Sequence, residues 1–374
     1  MNTSTYLVLS FFSSYFITQL FIPFVIRTAK EKNLLDRPDG RKQHKEAIPA
    51  LGGIAIFAAF AGVGFFWIGS GSLEDVKYFF PAMLILFATG LWDDIHAMTA
   101  GKKYLFQMIA VILISVGGFR VTDLHGLFGM HALPEAMQYF VTLLFVTAVI
   151  NAYNLIDGVD GLAGGIACIV SAVFAVLFYF AHDTFFCALS VILTASLIGF
   201  LQFNFNPAKI FMGDTGSLML GFLLAVFGIR LLAIPEHTMQ GMHISNPFSI
   251  LVGLLFLPVF DTIRVFSIRM AKGYSPFRAD RRHLHHLLQK NSLKSVGICI
   301  TMYSTTILFI VLSWIFQPLN TTLTVILLFA FAVAMAETLT VAHVIRSRKK
   351  LEKAAVNIED YRKHNQFVKH ILNA

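Results

Sequence analysis

What most constrains this chain is a stretch of about 17–25 residues nearly free of charge, repeated along its length, each long enough to cross a bilayer core as a helix. Windowed hydropathy predicts eleven such spans, at 5–27, 48–69, 79–95, 104–119, 137–153, 160–180, 184–203, 215–233, 248–270, 297–316 and 322–345. Inside a bilayer no water satisfies the backbone, which leaves helices or closed barrels. The apolar runs are continuous rather than alternating, which excludes a barrel. The expected fold is therefore an all-α integral membrane protein, a polytopic bundle of about eleven transmembrane helices. Composition agrees, because only 13% of the 374 residues are charged where a soluble domain carries roughly 25%. Cys168, Cys187 and Cys299 each lie in an apolar run without metal-ligand spacing and read as buried thiols. The first apolar run lacks a small-residue cleavage site and reads as a retained span.

The basic residues predict orientation. With eleven spans, Lys77, Arg120 and Arg230 fall on one side, and the remaining 26 of the 29 Lys and Arg fall on the other, at 27–45, 102–103, 209, 264–294 and 346–369. Basic loops stay in the cytoplasm, so the N-terminus is expected outside and the C-terminus inside. Residues 1–345 read as a single polytopic membrane catalytic domain, and 346–374 as a basic cytoplasmic tail. The net charge of +8 could mean nucleic acid in a soluble chain. In one this apolar it means topology signals and contacts to anionic lipid or phosphate, so membrane lipids are expected partners and nucleic acid is not. No internal repeat is evident, which weakens a transporter built from inverted halves.

The carboxylates carry the chemistry. Asp93, Asp94, Asp157, Asp160, Asp214 and Asp261 all fall at the cytoplasmic ends of spans, where acids are costly and point to function. Six acids at one face beside many basic residues suit a metal ion and phosphates. In GLWDDIHAM, the adjacent Asp93 and Asp94 do not share a helical face, so one can address a ligand while the other is held elsewhere. In NAYNLIDGVDGLAGG, Asn154, Asp157 and Asp160 are spaced by three, which a helix would stack on one face. The glycines there mark a bend or a close approach. In FNFNPAKIFMGDTGSLMLGF, residues 203–222, Asp214 opens a span whose first amides could meet phosphate while its carboxylate offers a hard ligand to a divalent cation. The alternative is an N-cap. Phe211 is placed either to stack on a base or to sit at the membrane interface. Arg278, Arg281, Arg282, His283, His285 and His286 form a dense basic loop, read as anion binding by guanidinium forks and imidazoles. The segment 34–53 reads as an ordered turn whose basic residues contact lipid phosphate or set topology.

In this order and with these separations, GLWDD, NAYNLIDGVDGLAGG, FMGDTGS and the HLHH loop resemble the polyprenyl-phosphate N-acetylhexosamine-1-phosphate transferases, from about residue 20 to 345. That family includes bacterial enzymes that make undecaprenyl-diphospho-GlcNAc for O-antigen, enterobacterial common antigen or teichoic acid, and the phospho-MurNAc-pentapeptide translocase of peptidoglycan synthesis. The resemblance implies transfer of GlcNAc-1-phosphate from UDP-GlcNAc to undecaprenyl phosphate with release of UMP, in a bacterial cytoplasmic membrane. It implies Mg²⁺ as cofactor, with Mn²⁺ as a substitute. Asp93, Asp94, Asp157 and His283 become the catalytic candidates, and Asp214 with Asn154 the metal ligands. Lys103, Asn154, Asp160, Asn204, Phe211, Arg281, Arg282, His285 and His286 become the substrate contacts, with Phe211 and Asp160 at the uracil. Ala97, where the translocase branch has Lys, and Leu284, which interrupts the histidines, both resemble the GlcNAc branch. The remaining alternatives are the translocase reaction, another UDP-N-acetylhexosamine, and a transporter of a phosphorylated anion. A phosphatase or lipid-binding scaffold is a further rival, and a homodimer is allowed.

Overall fold

A computed structural model describes residues 2–35, 47–70, 73–276 and 282–372. Every expected span is a helix. In chain order they are α1 (Thr3–Glu31), α2 (Gly52–Gly64, continued by a 3₁₀ turn to Ser70), α3 (Leu73–Ile95), α4 (Ala100–Val116), α5 (Glu135–Ile156), α6 (Leu162–Phe180), α7 (Thr184–Asn204) and α8 (Gly213–Leu232). The short α9 (Glu236–Gly241) precedes α10 (Pro247–Ala271), and the short α11 (Leu284–Lys290) precedes α12 (Ser295–Phe316) and α13 (Thr321–Leu372). Among the described residues, ten helices are long and apolar enough to cross a bilayer. The eleventh expected span, α4, has 17 residues, a rise of about 26 Å against a core of about 30 Å. The helix α13 is unbroken for 52 residues, so the span and the tail after it share one backbone helix.

The bundle is organised around α8. Of its apolar window 89% is buried, against 28% for α1 and 17% for α13, which lie at the periphery. Helices α2, α3, α5, α6 and α10 pack on α8, α7 packs on α1 and α6, and α12 joins α10 to α6. Glycine permits the closest approaches. A Cβ on Gly53 would meet the Gly216 nitrogen at 2.2 Å, and one on Gly221 would meet the Ile150 Cα at 2.5 Å. One small hairpin, β1 (Asp123–Leu127) with β2 (Met130–Ala132), follows α4. It leans on the start of α13, where Thr322 Oγ1 accepts from the Phe128 amide at 2.6 Å.

The alternation of helices sorts the polar residues by end. The C-terminal ends of α3 and α5 and the start of α8 carry Asp93, Asp94, Asp157 and Asp214, the start of α4 carries Lys103, and Asp261 lies within α10, ten residues before its end. Lys77, Arg120 and Arg230 lie at the other ends of α3, α4 and α8. Arg230 pairs there with Asp183 at 2.6 Å.

Candidate active site

Helix ends on one side of the bundle, those of α3, α5, α7 and α8 among them, and the loop after α7 enclose a cavity of about 1020 Å³. Its wall includes Asp94, Asn154, Asp157, Asp160, Asn204, Phe211, Asp214 and His286. Eight of the predicted site residues therefore line one space. Lys103 reaches it through its carboxylate partners, and Asp93 stands beside them.

The centre is an acid–lysine–acid bridge. Lys103 Nζ, at the start of α4, donates to Asp93 Oδ2 at 2.7 Å and to Asp214 Oδ2 at 2.5 Å. Asp214 Oδ1 accepts from Asn154 Nδ2 at 2.8 Å, and the same amide nitrogen donates to Ser217 Oγ at 3.0 Å. Asp93 Oδ1 accepts from the Met98 amide at 2.6 Å, which turns the chain after α3. Asp214 is not the cap of α8. The Met212 side chain makes no cap either, and the Asp214 and Thr215 amides are satisfied from α3. Asp94 Oδ1 accepts from the Asp214 amide at 2.8 Å, and Asp94 Oδ2 from the Thr215 amide at 2.9 Å and the Thr215 hydroxyl at 2.5 Å. The expectation that these amides are free to meet phosphate is thus overturned, because a carboxylate already holds them.

The second motif is not one helical face. The helix α5 ends at Ile156, Asp157 is its C-cap, and Gly161 takes φ 82° before α6 begins. Glycines at 158 and 161 allow this turn, which sends Asp157 and Asp160 to different neighbours. Asp160 Oδ2 accepts from Asn206 Nδ2 at 3.2 Å and from the Ala208 amide at 3.3 Å. Asn204 accepts from the Gly161 amide at 2.9 Å and donates to the Ile210 carbonyl at 2.8 Å. Its amide therefore braces the cavity wall. Burial and the nearby Asp214, Asp94 and Asp160 push the Asp157 carboxyl up to about 7. Asp157 is half-buried in the cavity wall, and the three negative neighbours give that shift a local cause.

The histidine loop divides. His283 is 5% exposed, and its Nδ1 lies 2.9 Å from Asp261 Oδ2 on α10. Asp261 Oδ1 accepts from the Leu284 amide at 3.0 Å and from Arg264 at 3.1 Å. Arg264 also donates to the Arg282 carbonyl at 2.5 Å. Asp261 thus fastens the loop to α10, a role that its position 22 residues upstream did not reveal. His285 is 2% exposed, and burial pushes its imidazole down to about 3, with His286 and His283 adding to the effect against Asp261. It is a neutral ring at neutral pH and not a source of positive charge. His286 alone of the three lines the cavity. Arg278 and Arg281 lie outside the described residues, as do 36–46 of the first loop. The end of that loop is ordered against the third motif: the Phe211 amide donates to the Pro49 carbonyl at 2.8 Å, and Gly52 and Gly53 donate to the carbonyls of Phe211 and Met212. Asn33, Leu34, Leu35, Ile48 and Asn206 also line the cavity. Leu34, Leu35 and Ile48 fall in the segment 34–53 and Asn206 in 203–222, but nothing in the sequence singled out these residues individually.

The donor set fits a divalent cation. Among the described residues no three His, Cys, Asp or Glu side chains converge as a ready metal cage. Mg²⁺ is commonly held by one or two carboxylates plus substrate phosphates and water, and Asp214 offers one such carboxylate to the cavity with Asn154 beside it, the Asn154 Nδ2 donating to it at 2.8 Å.

Residues 76–232 match the family described as Glycosyl transferase family 4, a segment that runs from α3 through α8 and contains the whole acid–lysine–acid bridge. The chain is 30% identical over 341 residues to the "Probable undecaprenyl-phosphate N-acetylglucosaminyl 1-phosphate transferase" of Bacillus subtilis (strain 168), covering 88% of this chain and 90% of that protein. It is 30% identical over 291 residues to the "Undecaprenyl-phosphate alpha-N-acetylglucosaminyl 1-phosphate transferase" of Escherichia coli (strain K12), covering 76% of each. With the similarly named protein of Yersinia pestis it shares 30% identity over 288 residues, 75% of this chain and 76% of the relative. Likeness across nearly the full length of a relative, with the matched segment carrying the bridge, means that the chain belongs to glycosyl transferase family 4.

Proposed function

We propose that this protein transfers GlcNAc-1-phosphate from UDP-GlcNAc to undecaprenyl phosphate, giving undecaprenyl-diphospho-GlcNAc and UMP. The observation that carries the reading is the Lys103 bridge between Asp93 and Asp214 in a cavity at one end of a membrane bundle. A site at a helix-bundle end can receive a soluble nucleotide sugar and a lipid phosphate together. The names of the relatives supply the acceptor and the sugar.

In this reading an acceptor phosphate oxygen attacks the sugar-bearing phosphorus, and the bond from that phosphorus to UMP breaks. Asp93 deprotonates or orients the acceptor oxygen. Lys103 supplies positive charge beside the reacting phosphates, where charge stabilisation is worth most. Asp214 and Asn154 would hold Mg²⁺, which when bound offers Lewis-acid charge neutralisation to the pyrophosphate. Asp160 and Phe211 frame the nucleoside end, and His286 faces the phosphates from α11. The count of basic residues, three against 26, supports a cytoplasmic cavity with the N-terminus outside.

The test mixes purified protein, UDP-GlcNAc, undecaprenyl phosphate and Mg²⁺, and follows UMP by chromatography and the lipid by mass spectrometry. UMP release that depends on the lipid and on Mg²⁺ supports the reading. A clearly higher kcat/KM with another UDP-sugar overturns the choice of GlcNAc.

A further inference from the structure

The two adjacent aspartates face different partners. On α3, Asp93 points to Lys103 and the Met98 amide. Asp94, about 100° further round the helix, points to the first turn of α8, 120 residues away in sequence. Gly90 lies one turn before Asp94 on the same face, and a Cβ there would meet the Asp214 carbonyl oxygen and the Thr215 nitrogen at 2.5 Å. Gly213 has φ 72°, and a Cβ on it would come within 2.5 Å of Asp94 Oδ2. Both glycines therefore clear the space that lets the Asp94 carboxylate reach the α8 amides. Those amides have no cap of their own, and a carboxylate at a helix N-terminus is favoured by hydrogen bonding and by the helix dipole.

We propose that Asp94 is a positioning residue: it caps α8 from α3 and thereby aims the Asp214 carboxylate into the cavity, while Asp93 is the member of the pair that meets the reactants. The residues it acts on are consecutive, since the amide it holds is that of Asp214 itself and the next donor is Thr215, 0% exposed. A one-residue rotation of that turn would swing Asp214 away from Lys103 and Asn154. The inference rests on the metal reading of Asp214 only in its binding readout.

Three variants separate the roles: Asp94→Asn, the near-isosteric Thr215→Val, and both together, with Asp214→Asn as reference. The measurements are amide hydrogen exchange of the segment 212–218 and Mn²⁺ binding by electron paramagnetic resonance, both without substrate. Asp94→Asn is expected to speed exchange at the 214 and 215 amides and to weaken Mn²⁺ binding about tenfold. Thr215→Val, which loses only the hydroxyl bond, is expected to move both readouts in the same direction by a smaller factor. The double variant should be no worse than Asp94→Asn, because both changes act through one turn. Unchanged exchange in Asp94→Asn and Thr215→Val overturns the proposal. So does Mn²⁺ binding abolished by Asp94→Asn and untouched by Thr215→Val, which is the pattern of a direct ligand. Should Asp94→Asn not fold, Thr215→Val decides the question alone. If Asp214→Asn binds Mn²⁺ normally, the metal assignment fails and the exchange data decide the role of Asp94.

Discussion

Asp214 accepts from Lys103 and Asn154 and caps nothing, so its loss is a loss of charge in the cavity. Asp214→Asn should fold, lose most turnover, and require far more Mg²⁺. A near-normal rate with an unchanged Mg²⁺ titration would remove it from the metal site. Asp157 makes a second prediction through its raised pKa, from the ordinary 3.8 to about 7. Between those values the folded chain binds the proton more tightly than the unfolded one, so its ionisation weakens the fold as pH rises from about 4 to about 7. Asp157→Asn mimics the neutral form. It should raise the melting temperature at pH 8, leave it unchanged at pH 4, and still lose activity; equal shifts at both pH values would contradict the assignment. The spacing of acids was legible in the chain, and so was their number. Their individual partners were not, because an aspartate's role depends on which way its helix is rotated.

At the level of elements, the site depends on how closely helices approach. Gly90 sits against the α8 backbone, whereas a Cβ on Gly62 of α2 would meet nothing within 4 Å. In an isolated helix Gly→Ala stabilises by roughly 0.5–1 kcal/mol. At Gly90 the methyl group must displace backbone, so the sign reverses and Gly90→Ala should cost about 1–3 kcal/mol and most activity. Gly62→Ala should be neutral or mildly stabilising in both thermal melts and turnover. The two substitutions are alike in sequence terms, and only the neighbouring helix separates them. The turn between α5 and α6 carries the same lesson. A three-residue spacing suggested one helical face for Asn154, Asp157 and Asp160, but the glycines at 158 and 161 broke the helix between the first and the last.

For the whole molecule, the expected topology is open to direct labelling. Phe128, 70% exposed on the hairpin, and the exposed Lys272 after α10 lie on opposite sides of the bundle in the eleven-span reading. In intact cells an impermeant thiol reagent should modify Phe128→Cys and spare Lys272→Cys, and the reverse pattern would invert the orientation. The sequence by itself determined the class of fold, the places of the eleven helices and the gathering of acidic motifs at their ends. Each of these follows from hydropathy and charge summed over neighbouring residues, and in a bilayer that local sum dictates helix formation. Only the tertiary structure decided that Lys103 joins Asp93 to Asp214, that Asp94 serves a helix far along the chain, and that Asp261 holds His283 away from the cavity. Those partnerships depend on the rotation and closeness of packed helices, which contacts between residues distant in sequence set and no local window contains.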